Sequence, residues 1–284
     1  MIKRILVALD PDSDTPVATR YGIELAKRFK ASLSGLAVID TKHIATESGG
    51  GGIGTIYFSE MLERHLSSEA IETARRLTET FEQAVEEADI EHANWVKSGV
   101  PFERIIEDMK YHDILIIGRK PHFFYNRPER KTKTLAQVVK RGIIPVLVAG
   151  DEYIDIKKVM IAHDGSDASA STMQRFAQLQ PFGNDIHIDV VHVRLSESEH
   201  DHSESELRLH LAVTYLKSHG FNDIREVSLE EGPPDGRLLK FISQNDSNLV
   251  VAGAHSVSAI RRIAFGSTTS AFLEDSPVPV FLYH

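Results

Sequence analysis

One set of landmarks occurs twice along this chain, in the same order, and that repetition limits the fold more than any other feature. Lys3-Arg4-Ile5-Leu6-Val7-Ala8-Leu9-Asp10 returns as Lys157-Lys158-Val159-Met160-Ile161-Ala162-His163-Asp164. Gly99-Val100-Pro101 returns as Gly232-Pro233-Pro234, and the run from Asp113 to Gly118 returns as the run from Asn248 to Gly253. Each half then closes on an apolar segment, Ile143 to Val148 in the first and Val278 to Tyr283 in the second. Ordered repeats half a chain apart imply two domains of one fold. We place them at residues 1–150 and 155–284, joined by the short polar stretch from Gly150 to Asp155.

Within each half, short apolar runs alternate with amphipathic stretches. The pattern predicts strands near 4–9, 33–39, 93–97, 114–117 and 145–148, with helices near 17–29, 57–87, 102–111 and 135–141. In the second half it predicts strands near 158–163, 186–193, 225–229, 249–252 and 280–283. Nearly continuous apolar strands separated by helices indicate a parallel sheet covered on both faces, because parallel neighbours need crossover connections. The expected class is α/β, as two doubly wound, Rossmann-like domains in tandem. The two terminal strands are short and apolar, and an edge of that kind must be covered or paired.

The 284 residues carry no cysteine and a formal net charge of -9. Disulfides, thiolate metal sites and cysteine nucleophiles are therefore excluded. An acidic chain is a poor match for nucleic acid, which needs a basic face. No run approaches the length needed to span a bilayer, and Asp10 interrupts the N-terminal apolar stretch before it could act as a signal core. The expectation is a cytoplasmic protein without nucleic-acid or membrane partners.

In a doubly wound sheet, ligands bind beyond the carboxyl ends of the strands, where the strand order reverses. An aspartate closes the first strand of each half (Asp10, Asp164) and a glycine closes the fourth (Gly118, Gly253). Two readings of the aspartates are open: contact with a ligand, or a turn and helix cap, since both precede helices. The second half adds Ser256 and then, nine residues later, Gly266-Ser267-Thr268-Thr269 at the start of the last helix. Glycine allows close approach of main chain to phosphate, and a helix N-terminus with hydroxyls can hold the anion. An ordinary Ser or Thr cap is the competing reading.

With these landmarks in place, the chain resembles the universal stress protein family in its tandem form. The family's nucleotide signature is Gly-x2-Gly-x9-Gly-Ser/Thr after the fourth strand, paired with an aspartate at the end of the first. Here it stands as Gly253-x2-Ser256-x9-Gly266-Ser267 beside Asp164-Gly165-Ser166, with serine in place of the second glycine. The resemblance implies five-stranded sheets of order 3-2-1-4-5, with the terminal strands of the two halves meeting about a pseudo-twofold axis. It implies adenine contact at Asp164, base or ribose contact at Val193, loop shaping at Gly253 and Gly266, and phosphate contact at Ser267 and Thr268. Ser256 and Thr269 complete the candidate set. The implied cofactor is ATP, with Mg2+ as its counter-ion, and the implied assembly is a homodimer with an unidentified protein partner.

The first half departs further from that signature. From Gly118 the same count reaches Pro121 and then Lys131-Thr132, with His122, Phe123, Phe124 and Tyr125 filling the loop. This copy reads as degenerate, with a structural, regulatory or differently specialised role. Gly49-Gly-Gly51-Gly-Ile-Gly54 fits a dinucleotide pattern in spacing but not in place, and reads as a loop near the crevice mouth. His200-Asp201-His202 lies among carboxylates and reads as a solvated acidic segment, with weak metal ligation as the alternative. No nucleophile stands with a base, so any ATP hydrolysis would be slow. Two function classes follow: a stress-response or signalling protein that binds ATP in its second half, or a nucleotide-independent chaperone-like or scaffold protein whose first crevice is open to a different ligand.

Overall fold

The computed structural model describes residues 1–12, 14–41, 44, 56–121, 123, 134–194, 196, 198–254 and 267–284, leaving aside the side chains at 56–60, 63, 199 and 201. The loop at 49–54, the segment 124–133 and the predicted site residues Ser256 and Gly266 lie outside the described residues.

The first half runs β1 (Arg4–Leu9), α1 (Thr15–Phe29), β2 (Ser32–Asp40), α2 (Ile56–Glu86), β3 (His92–Gly99), α3 (Pro101–Met109), β4 (Ile114–Ile117), α4 (Thr134–Arg141) and β5 (Val146–Val148). The second runs β6 (Lys158–Ala162), α5 (Asp167–Leu179), β7 (His187–Val193), α6 (Glu199–Ser218), β8 (Ile224–Leu229), α7 (Pro234–Gln244), β9 (Leu249–Gly253), α8 (Ser267–Asp275) and β10 (Val280–Tyr283). The repeated prolines sit at the first helical position of α3 and α7, where a missing N–H costs nothing.

Tertiary contacts divide the chain into Lys3–Ile144 and a second unit of Pro145–His284 joined by Met1–Ile2. In the first unit four parallel strands stand in the order β3-β2-β1-β4. In the second, β8-β7-β6-β9-β10 are all parallel, and β5 follows β10 antiparallel. β5 clusters with the second unit because its ladder is there: Leu147 lies opposite Phe281, flanked by Val146 with Leu282 and Val148 with Val280. That pairing covers an apolar edge of β10.

Burial explains which segments could be read as strands. β1 lies between β2 and β4, and both β1 and β4 are buried almost throughout, so their sequences are unbroken apolar runs. The outer strands β3 and β8 alternate half-buried and exposed residues, as an edge covered on one face requires. Beneath α5, Phe176 meets Phe281 edge-on at 5.5 Å and stacks on Phe221 at 6.2 Å, tying the helix to the sheet. Among the described residues, no helix is long and apolar enough to cross a membrane.

Candidate functional site

The second crevice begins where β6, a central strand, leaves the sheet at His163 and Asp164. Gly165 follows with φ +81, a left-handed conformation that favours glycine, and an added Cβ there would lie 3.0 Å from Arg208 Cδ. The chain then enters α5, with Ser166 as its N-cap accepting from the Ser169 amide at 3.3 Å. Asp164 Oδ1 accepts from the Ser166 amide at 2.9 Å and from the Ser166 hydroxyl at 2.6 Å. The turn-forming role is thus present. The residue is nevertheless exposed and remains accessible. Partial burial pushes its pKa up, but hydrogen bonds from the Ser166 side chain and amide and from Ser169 outweigh this and hold the carboxyl below the usual aspartate value. Asp164 is accordingly ionised at neutral pH.

His163, just before it, is buried, with Nδ1 3.2 Å from the Ser169 hydroxyl. Burial lowers its pKa, and the nearby His192 and Arg208 lower it further against the pull of Asp164. A neutral imidazole beneath the strand end is a supporting group rather than a base exposed to a ligand. His192 is also buried and donates Nδ1–H to the His163 carbonyl at 2.8 Å. Val193 ends β7 as a buried residue, paired in register with Leu229.

Gly253 ends β9, the strand beside β6. A Cβ at this position would fall 2.8 Å from both the Ala168 carbonyl carbon and the Ser169 nitrogen, so the glycine lets β9 approach the first turn of α5. Its carbonyl accepts the Thr269 hydroxyl at 2.9 Å. Thr269 is 5% exposed, and this bond fixes the first turn of α8 to the strand end. Ser267 is exposed and Thr268 half-buried. A continuous set of contacts therefore links Asp164, Ser166, the start of α5, Gly253 and Thr269. Val193 stands at the end of the neighbouring strand β7.

The corresponding crevice of the first half is organised differently. Asp10 is 1% exposed. Its Oδ2 accepts from the Phe123 amide at 2.6 Å and its Oδ1 from the Asp12 amide at 3.2 Å. Burial is the largest influence on this carboxyl and, aided by the charges of Asp12 and Asp14, pushes its pKa up to about 7 against those two hydrogen bonds. Asp14 is 2% exposed, and its Oδ2 accepts from the Arg119 amide at 2.6 Å and the Lys120 amide at 3.3 Å. Sequence reading passed over Asp14. The repeat held the signal, because the position four residues past the strand-end aspartate is Asp14 in one half and Ala168 in the other.

Near the start of α6, His200 lies 3.3 Å from Glu204 and His202 lies against the Arg194 guanidinium. Among the described residues, a group whose ligand atoms could converge is Glu82, Glu86 and His92, with both carboxylates exposed.

Comparison with known proteins finds one family in both halves of the chain. The universal stress protein family profile matches residues 1–150 and again 155–284. The chain is 24% identical to universal stress protein Slr1230 of Synechocystis over 294 aligned positions, covering 99% of this chain and all of that protein. Its fold is similar to a universal stress protein from Archaeoglobus fulgidus, with a TM-score of 0.68 at 18% identity over 99% of this chain and 95% of that one. A functionally unknown protein, PA1789 of Pseudomonas aeruginosa, is similar with a TM-score of 0.60 at 17% identity over 99% and 92%. Matched in both halves over nearly its whole length, the chain belongs to the universal stress protein family.

Proposed function

We propose that the second half binds an adenine nucleotide, ATP, and that the chain works as a stress-response or signalling module whose conformation or partner binding responds to it. The observation that carries this reading is the accessible, ionised Asp164 at a strand end tied through Gly253 to the N-terminus of α8. The residues fit the group. Asp164 offers an acceptor to the base, and Val193 an apolar surface to base or ribose. Gly253 keeps the main chain close, and the hydroxyls of Ser267 and Thr268 with the amides of a helix start suit phosphate. Ser256 and Gly266 would complete the loop, and Mg2+ would arrive with the phosphates. Thr269 acts by positioning, since its hydroxyl is donated to Gly253. Ligand energy enters as a difference in affinity between two states of the protein.

Mass spectrometry of freshly purified, denatured protein should show adenine nucleotide, and calorimetric titration should show ATP binding. No copurified nucleotide together with no ATP binding by folded protein would overturn the reading. We further propose cytoplasmic residence and a homodimer; light scattering that finds monomer across a wide concentration range would remove the dimer.

A further inference from the structure

After β4 the chain turns at Gly118, and the next two amides, of Arg119 and Lys120, converge on Asp14 Oδ2 at 2.6 and 3.3 Å. Successive main-chain N–H groups aimed at one oxygen form a nest, the arrangement that holds phosphate and other oxyanions. The carboxylate lies directly against the glycine, because a Cβ on Gly118 would fall 2.1 Å from Asp14 Oδ1. At the same place in the second half, a Cβ on Gly253 meets Ala168 and Ser169. Where the first half presents a carboxylate, the second presents a methyl group. The strand-end aspartate of the first half is taken as well. The Phe123 amide donates to Asp10, with the Phe123 ring 1% exposed and its backbone at φ +51. A bulky residue with positive φ is uncommon and persists where its surroundings hold it.

We propose that the first crevice is a ligand site closed by the chain itself: the Asp14 carboxylate occupies the position of a ligand oxyanion in the Arg119-Lys120 nest, and the Phe123 amide occupies Asp10. The chain then offers one nucleotide crevice and not two. That count rests on the reading of the second half given above; the filled state of the first does not. Asp14 Oδ1 is buried without a hydrogen-bond partner among the described residues, so the carboxylate is held chiefly through its other oxygen and the nest. Burial raises the Asp14 pKa, and the Lys120 and Arg119 amides oppose that rise, as they would for a bound anion.

Amide hydrogen exchange on the full chain tests this. In unmodified protein the Arg119, Lys120 and Phe123 amides should be protected and indifferent to added formate or inorganic phosphate. In Asp14→Ala, the Arg119 and Lys120 amides should exchange about tenfold or more faster, the equivalent of a lost charge-assisted hydrogen bond. Formate or phosphate, but not chloride at equal ionic strength, should restore protection in a saturable manner. Unchanged exchange in the variant, or lost protection that neither anion restores, would overturn the proposal. Should Asp14→Ala fail to fold, Asp14→Asn keeps the shape and removes the charge. Its two amides should exchange faster without responding to anions, and unchanged exchange would again count against the proposal. Equilibrium dialysis of the unmodified chain with ATP separates this inference from the nucleotide reading. Two ATP bound per chain sinks the closed first crevice, whereas none bound counts only against the reading of the second half.

Discussion

Asp10 and Asp164 occupy the same place in the repeat, yet one is 1% exposed and capped by the amide of Phe123 while the other is exposed and fixed by Ser166. The neighbouring position differs in the same sense, with Asp14 in a nest of amides and Ala168 against Gly253. Duplication preserved the strands and turns that make the crevice; divergence decided whether the protein's own groups occupy it.

The largest expected consequence is a difference in pH dependence. Asp10 has a folded pKa of about 7 against 3.8 unfolded. The folded state therefore binds its proton more tightly. The stability contributed is complete below the unfolded pKa and is lost as pH rises through the folded one, by on the order of 4 kcal/mol. Asp14, also raised, adds in the same direction, and Asp12 couples to both. Asp164 has the opposite sign, because its lowered pKa gives stability above the unfolded value that is lost as pH falls through the folded one. Denaturant unfolding between pH 4 and 8 should show the unmodified chain losing stability relative to Asp10→Asn, whereas Asp164→Asn should run parallel to the unmodified chain over this range. Equal slopes for the unmodified chain and Asp10→Asn would remove the contrast.

Nucleotide affinity should divide the two halves next. Asp164→Ala removes a base contact worth about 1 to 3 kcal/mol, roughly fivefold to a hundredfold or more in affinity for ATP. Asp10→Ala should leave that affinity within about twofold, because its carboxylate is already occupied. Calorimetry on both variants checks this, and the reverse pattern would move the working site to the first half.

The strand-end glycines give a third contrast. Gly118→Ala places a methyl on the Asp14 carboxylate, while Gly253→Ala places one on the main chain at Ala168 and Ser169. Each should cost about 1 to 3 kcal/mol as overpacking. Adding Asp14→Ala should recover much of the loss from Gly118→Ala, since the group in the way is a side chain. The equivalent double variant does not exist for Gly253, whose obstacle is backbone. Absence of coupling between Gly118 and Asp14 in a double-mutant cycle would show that the carboxylate yields without cost.

The tandem division, the α/β class and the central strands were legible because a parallel sheet buried on both faces forces apolar runs such as Ile114 to Ile117. Asp164 and Gly253 were legible as strand-end residues for the same reason. What escaped was how each end is used. The Asp10 and Phe123 partnership joins residues 113 positions apart, and a donor that is a backbone amide leaves no mark on residue type. The meeting of the terminal strands did not escape: the family resemblance implied it, and β5 pairs with β10 antiparallel.

The smallest expected effect is at Thr269. Its hydroxyl donates to the Gly253 carbonyl at 2.9 Å and is nearly inaccessible, so it ties α8 to β9 rather than offering itself to phosphate. Thr269→Val keeps the shape and deletes one neutral hydrogen bond, which should cost about 1 kcal/mol of stability. Its effect on nucleotide binding should be indirect: about twofold to fivefold weaker for ATP, through loosening of the helix start, and unchanged for adenosine, which has no phosphate. Thr134, equally buried at the matching place in the first half, gives the control, because Thr134→Val should leave ATP affinity untouched. A loss of ATP affinity in Thr269→Val as large as that in Asp164→Ala would show that the hydroxyl turns to the ligand after all, and that α8 shifts when the nucleotide binds.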